Sequence, residues 1–350
     1  MRRTIRSLKF GFSEAAGYGG FFFWRGLERC LGIGGLFLVA RIFCWCRAML
    51  NEITKRPEKP SSEPAWLRID GSLRSRIRRR WQRYLIHILE CFPDRMARPE
   101  WRAICRLDGT EHLEAARQAG RPVVLAFFHL GLIHNLRQWL RAFGFAAGLY
   151  HGGNLKSRGK VAQLRDRLTP FPEVPQLFFP GEMRAVIKFL QAGNILLIAV
   201  DMPEGHRTTV ETDDGWTTRL NTGAARLANL MGADLMVVTS VNEDWNRFRI
   251  KISHLTAGEQ LRTEQEWAEA NRRLFAAVLP EFKKYPEQFV QPIRWRQVTP
   301  PAKAGDVAVH PQTSVLGAEI GKQVVATQER RDANCTNQRE WLRPGADNRR

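Results

Sequence analysis

The side chains best suited to anion and polar-ligand chemistry gather in three stretches. In the first, an apolar run from Pro122 to Phe128 stops at His129, and Gly131 follows at once. A Val- and Phe-rich run flanked by glycine reads as a buried strand, and the helical spacing of Leu132, Leu136, Trp139, Leu140 and Phe143 starts immediately after it. His129 then stands at the carboxyl end of a parallel strand, where open α/β sheets place their ligands, or else is a core histidine at a strand end. In the second, ILLIAVD (Ile195 to Asp201) is another apolar run, ending in a carboxylate. The loop MPEGHRT that follows carries Glu204, His206 and Arg207 on a Pro/Gly-shaped turn. That set can orient a polar or phosphorylated acceptor, since arginine offers phosphate a two-pronged fork; a solvated loop is the alternative. In the third, Arg184 lies three residues past Gly181 at a helix start, as a second anion contact or a surface charge. Thr217, Thr218 and Thr222 precede Gly223 and a helix, where hydroxyls can serve as caps.

The elements that must position these groups alternate in type. Strands are expected at Val123–Phe128, Ala146–His151, Gln176–Phe179, Ile195–Val200, Leu235–Val241 and Phe248–Ile252. Helices are expected at Glu111–Gln118, Ile133–Phe143, Lys160–Leu168, Met183–Gln191, Gly223–Met231 and Glu264–Phe282. The alternation implies an α/β fold with a mostly parallel sheet flanked by helices on both faces.

Composition narrows the partners. The 350 residues carry a net charge of +19, which calls for nucleic acid, an anionic membrane surface, or an acidic protein or substrate. No nucleic-acid recognition module accompanies the charge, so nucleic acid is not an expected partner. The six cysteines are scattered without a C-x-x-C pair, which suggests neither a zinc site nor a disulfide framework and fits a reducing compartment. At the N-terminus, Arg2, Arg3, Arg6 and Lys9 precede the aromatic stretch Ala15 to Trp24; Arg25, Glu28 and Arg29 interrupt it before the apolar run Leu31 to Ala40 and its continuation Ile42 to Cys46. A spanning helix needs about 20 mostly apolar residues, so this interrupted pattern fits better a helix lying at or dipping into the bilayer, with Trp24 and Trp45 at headgroup level. A helix packed on the main domain is the alternative, and no small-residue cleavage pattern marks a signal peptide. After the linker Lys55–Pro64, arginines from Arg68 to Arg83 interleave with Leu73, Ile77, Trp81, Tyr84, Leu85 and Ile88. This is the pattern of a basic amphipathic helix, suited to an anionic membrane, an acidic carrier protein or the phosphates of a nucleic acid, or else a solvated helix face.

Read in order, five segments resemble the late acyltransferases of lipid A biosynthesis (lauroyl/myristoyl acyltransferase-like), within the lysophospholipid and glycerolipid acyltransferase superfamily. They are LDGTEHL (Leu107–Leu113), FFHLG (Phe127–Gly131), RAVIKFLQAGNILLIAVD (Arg184–Asp201), TTRLNTGAARLANLMGADLMVV (Thr217–Val238) and YPEQFVQPIRW (Tyr285–Trp295). PEGHR, Pro203–Arg207, resembles the acceptor-phosphate motif of the glycerolipid branch. The resemblance implies transfer of a fatty acyl chain from an acyl-carrier-protein or acyl-CoA thioester to a hydroxyl or amine of a membrane lipid or glycolipid, without metal or bound cofactor. It also implies residence at the inner membrane, cytoplasmic face, as a peripheral or single-pass protein. In the family an H-x4-D/E pair supplies a histidine base and its acidic partner. His129 matches the histidine, but the position of the acid holds His134. His129 is therefore expected as base, with His134 as its orienting neighbour. Asp201 or Glu204 could instead supply the carboxylate from a neighbouring strand end. Without any carboxylate, the fold would persist as a catalytically impaired lipid-binding protein. Arg184, Asp201, Glu204 and Arg207 are the expected acceptor contacts. The final segment also departs from the family, lacking the aromatic and histidine that often precede its Arg-Trp.

The resulting domain plan has five parts: a membrane-associated helical segment at 1–54, a linker at 55–65, a basic helical region at 66–106, the acyltransferase-like domain at 107–296 and a tail at 297–350. The tail is poor in large apolar residues and reads as disordered, with a short helix near Val315 to Val325.

Overall fold

The computed structural model describes residues 2–53, 64–67, 72–151, 160–175, 177–202, 205–289 and 295–297. The Lys55–Pro64 linker (Pro64 excepted), Glu204 and the tail beyond Gln297 lie outside the described residues.

Nineteen helices and strands follow one another along these residues: α1 Arg2–Ile53, α2 Leu73–Leu89, α3 Pro99–Arg102, β1 Cys105–Asp108, α4 Thr110–Gln118, β2 Val123–Gly131, α5 Ile133–Ala142, β3 Ala147–Tyr150, α6 Lys160–Leu168, β4 Leu177–Phe178, α7 Met183–Gln191, β5 Ile195–Ala199, β6 Arg207–Glu211, β7 Trp216–Asn221, α8 Gly223–Met231, β8 Asp234–Asp244, β9 Arg247–Ala257, α9 Glu264–Lys284 and β10 Arg296–Gln297. Seven strands form the main sheet in the order β1-β9-β8-β2-β5-β3-β4. Every pairing is parallel except the β8–β9 hairpin, so the sheet is mostly parallel, and helices cover both faces.

β2 is the central strand and every residue in it is buried, which explains the unbroken apolar run that precedes His129. Its side chains divide by the two-residue period of a strand. Val123, Leu125 and Phe127 enter one core with α1, α2 and α5. Val124, Ala126 and Phe128 enter the other with α7, α8 and α9.

Several elements differ from the sequence expectation. β1 was missed: CRLD is a polar edge strand beside β9, without the apolar run that marks a central strand. The residues around Arg207 and Thr217 form the antiparallel β6–β7 hairpin of a separate three-stranded sheet, where a loop had been expected. Polar residues at four of its five positions, with Val210 alone buried, hide β6 from a pattern search. The N-terminal apolar stretches make one long helix, α1, kinked at Gly32 (φ 66°, ψ −179°). The interrupting Arg25 turns inward and donates two hydrogen bonds to Asp94, at 2.7 and 2.9 Å, and one to the Cys91 carbonyl. One face of α1 (Phe21, Leu36, Phe37, Ala40, Cys44) packs into the domain core. Its outer face shows Phe22, Phe23, Leu38, Ile42, Phe43 and Trp45 to solvent. The window Tyr18–Arg47 is long and apolar enough to cross a membrane, with a mean hydropathy of 1.6.

α5 is buried along almost its whole length, two arginines included. Arg141 is 1% exposed and spends its guanidinium on backbone carbonyls. Nε donates to Ala147 at 2.7 Å, Nη1 to Pro170 and Phe171, and Nη2 to Val174 and Pro175 at 3.2 Å. Burial lowers its pKa to about 10, which leaves the cation intact at neutral pH. Arg141 thereby fixes the whole connection from α6 to β4. Arg141→Met should leave these carbonyls unpaired and cost about 3 kcal/mol in chemical denaturation, because orphaned buried acceptors cost about 1–3 kcal/mol and methionine recovers some packing.

Candidate active site

β2 runs past the end of its neighbour. Its pairing with β5 stops at Phe127 opposite Ala199, and the Val200 amide then donates to the Phe127 carbonyl at 3.0 Å. β5 ends at this level while β2 continues beside β8 to Gly131, which brings the last residues of β2 face to face with those that follow β5. They are His129 and Asp201. The Nδ1 of His129 lies 2.7 Å from one carboxylate oxygen of Asp201, and its backbone N–H donates to the other, also at 2.7 Å. The carboxylate is buried, at 2% side-chain exposure, and the imidazole retains 11%. With Nδ1 paired to an anion, that nitrogen carries the proton and Nε2 keeps a lone pair. Nε2 has no hydrogen-bond partner among the described residues.

The turn after His129 depends on Gly131. Its φ is 69°, and an added Cβ would stand 1.7 Å from the Ser240 carbonyl oxygen. This close approach lets the Leu132 amide donate to the same oxygen at 2.9 Å and launches α5. From the far side, the Tyr285–Phe289 segment locks β2 and β8 together. Gln288 copies a strand residue: its Oε1 accepts from the Asn242 amide at 2.8 Å and its Nε2 donates to the Asn242 carbonyl at 2.6 Å. Phe289 bridges to Leu130. The PEQ motif therefore has a mechanical role next to the histidine.

The orienting role expected of His134 needs correction. Its ring centroid stands 6.5 Å from that of His129, and the His129 Nδ1 is already committed to Asp201. The reason is the turn itself: α5 starts after Gly131 and carries His134 to an exposed position, while β5 delivers Asp201 to the buried side. Although His134 reaches solvent, neighbouring protein desolvates part of its ring and lowers its pKa, against an opposing pull from Glu90 and reinforced by His129. Sequence reading missed the cluster behind this. Glu90, at the end of α2, meets Arg165 at 2.6 Å and His87 at 3.8 Å. Burial pushes the Glu90 carboxyl up, but the His87 hydrogen bond and the charge of Arg165 outweigh it, and the pKa falls below the ordinary value. A single glutamate ending a basic helix gave no sequence signal of this.

A histidine with a lowered folded pKa binds its proton more weakly when folded than when unfolded. The stability it permits is therefore complete above pH 6.5, the unfolded value, and is lost as pH falls toward the folded one. Melting temperature should drop in that window, and His134→Asn should flatten the slope while leaving turnover within about tenfold, since both hydrogen bonds of the His129–Asp201 pair are made without His134.

The anion candidates lie farther out. Arg207 opens β6 opposite Asn221, whose amide donates to the Val200 carbonyl at 2.7 Å, so it sits one strand pair from Asp201. His206 is held by Thr222 at 3.2 Å and Glu264 at 2.9 Å. Asn221, and not a threonine, caps α8, its Oδ1 accepting from the Gly223 amide at 2.6 Å. Arg184 is exposed at the start of α7, beyond β4. Three strand spacings separate β4 from β2, about 14 Å, and no contact joins Arg184 to the His129–Asp201 pair. Among the described residues no group of three or more His, Cys, Asp or Glu is placed to hold a metal ion.

No protein-family model matches the chain, and no curated protein matches it. Among solved structures, the chain is similar to the crystal structure of the 1-acyl-sn-glycerophosphate (LPA) acyltransferase PlsC from Thermotoga maritima, with 11% identity and a TM-score of 0.39, over 77% of this chain and 97% of that one.

Proposed function

We propose that the protein transfers a fatty acyl chain from a thioester donor, acyl carrier protein or acyl-CoA, to a hydroxyl or amine of a membrane lipid or glycolipid, an acceptor of the lipid A precursor kind. The observation that carries this reading is the His129–Asp201 pair at the carboxyl edge of the sheet, with Nε2 available. In the proposed step Nε2 takes the acceptor proton as its oxygen or nitrogen attacks the thioester carbonyl. Asp201 stabilises the imidazolium formed. The imidazolium then returns the proton to the departing thiolate, so an ester or amide bond forms as the thioester bond breaks. The ordered motifs of the chain support the same assignment, and the Asp201 carboxylate beside His129 supports it over the catalytically impaired alternative. Arg207, Glu204 and Arg184 are proposed to hold the polar head of the acceptor. The apolar outer face of α1 and the arginines of α2 support a site of action at an anionic membrane surface, the cytoplasmic face of the inner membrane in this reading.

The test is a lipid profile by mass spectrometry in a strain lacking the gene, complemented with wild type or His129→Ala. One lipid class should lose an acyl chain in the deletion, and only the wild type should restore it. That experiment also names the acceptor. Equal restoration by His129→Ala would remove His129 as the base and return the lipid-binding alternative.

A further inference from the structure

We propose that the groove between α1, α2 and the β8–β9 turn is a binding site for one anionic phospholipid of the bilayer, held as a resident lipid and not as a substrate. The groove encloses about 700 Å³ and its walls are almost wholly apolar. That volume falls in the range of sites that enclose a small molecule, about 300–1,000 Å³. Leu38 and Ile42 of α1 form one wall, Ile77 of α2 the floor, and Trp245 the end. Two arginines complete the lining. Arg41 lies over the Trp245 ring at 4.1 Å, and Arg74 projects from the exposed first turn of α2. Neither has an acidic partner among the described residues.

An apolar slot lined by the alkyl stems of two arginines whose guanidiniums lack acidic partners selects an amphiphile, its chain in the slot and its anionic head against the charges outside the walls. A peptide would need hydrogen-bond partners for its backbone, and these walls offer almost none. The mouth opens on the outer face of α1, whose exposed Leu38 (58%) and Ile42 (54%) belong to the stretch apolar enough for a membrane. A lipid therefore reaches it from the bilayer. The reacting pair is elsewhere. From Ile77 to Glu90, which sits beside His134, is about 20 Å along α2. From Ser240, level with Gly131, to Trp245 is about 16 Å of strand.

The test uses the full-length protein in vesicles carrying a diazirine-acyl probe with either a phosphatidylglycerol or a phosphatidylcholine head, with crosslinks mapped by mass spectrometry. The phosphatidylglycerol probe should label Leu38, Ile42 or Ile77 about 25-fold more than the phosphatidylcholine probe, each arginine contributing about fivefold. Arg41→Gln and Arg74→Gln should each remove about fivefold of that preference. Because Arg41 also packs on Trp245, the exposed Arg74 is the position that acts without disturbing the fold. Ile42→Trp, which fills the slot, should suppress labelling by both probes. Labelling spread evenly along α1, equal for the two heads, or unchanged in the variants would overturn the proposal. No arm reads acyl transfer, so this result stands apart from the fate of the catalytic reading.

Discussion

Asp201→Asn should lower turnover about 10⁴-fold while the protein still folds and binds its donor, because the same isosteric change costs a serine-protease triad about that much. The argument rests on which atoms carry protons. The Asp201 carboxylate accepts twice from one residue, from the His129 backbone N–H and from its ring Nδ1–H, both at 2.7 Å. An asparagine offers one acceptor and one donor. The backbone N–H cannot change its role, so the amide oxygen faces it and the amide NH₂ faces Nδ1. Nδ1 must then become the acceptor, the proton moves to Nε2, and the lone pair needed to deprotonate the acceptor is gone. A factor of 10⁴ corresponds to about 5 kcal/mol of barrier. Single-turnover acyl transfer from an acyl thioester should show the loss in kcat with KM little changed, since the pair does not hold the polar head of the acceptor. Circular dichroism and a melt should show a folded protein, as the backbone bond to His129 survives. If Asp201→Asn turned over within tenfold of wild type, the pair would be a structural contact only. His134→Asn is the matched control: it changes the residue that the sequence pattern places in the partner position, and it should leave most activity intact.

That contrast marks the limit of what was legible from the chain. The long elements of the sheet and its helices are written in apolar periodicity: β2, β5, β8, α7 and α8 occupy nearly the segments where the pattern places them. Their apolar character is needed because both faces of a mostly parallel sheet are covered. β6 and β7 lie outside that sheet, and their alternating polar residues carry no such demand. The site follows the same division. His129 is visible because an apolar strand ends on it. Its partner is not readable from spacing, since 72 residues separate the two and only the parallel pairing of β2 with β5 sets them at one level. The sequence offered Asp201 and Glu204 as substitutes on equal terms, and choosing between strand-end carboxylates requires the register. Gln288 shows the converse. Its motif was visible, but its work, imitating a strand against Asn242, is a property of three dimensions.

Gly131→Ala should be the most damaging glycine-to-alanine change among the described residues, costing about 4 kcal/mol and most of the activity, in the range reserved for substitutions with a named structural cause. Two effects add. A left-handed backbone costs an alanine about 1–2 kcal/mol, and Gly131 sits at φ 69°. The new methyl would also lie 1.7 Å from the Ser240 oxygen, 2.8 Å from its carbon and 3.1 Å from the Val241 Cα. All three are backbone atoms of β8, a central strand locked to β9 and to Gln288, so none can yield cheaply. β2 must instead lift from β8, breaking the Leu132–Ser240 hydrogen bond, and His129 two residues earlier moves with it. A displacement of 1 Å at reacting groups can cost about 10²-fold in rate. Gly120→Ala separates the two effects. Gly120 has nearly the same backbone, φ 63°, with nothing within 4 Å of an added Cβ. Only the conformational strain remains there, and denaturant titration should return about 1 kcal/mol with unchanged turnover. If the two variants lost equal stability, the contact with Ser240 would have no part in holding the turn, and the position of His129 would have to be set by β5 alone. A large loss confined to Gly131→Ala would locate the rigidity of the site in the β2–β8 ladder, which fixes the strand that carries His129 while β5 brings Asp201 to the same level.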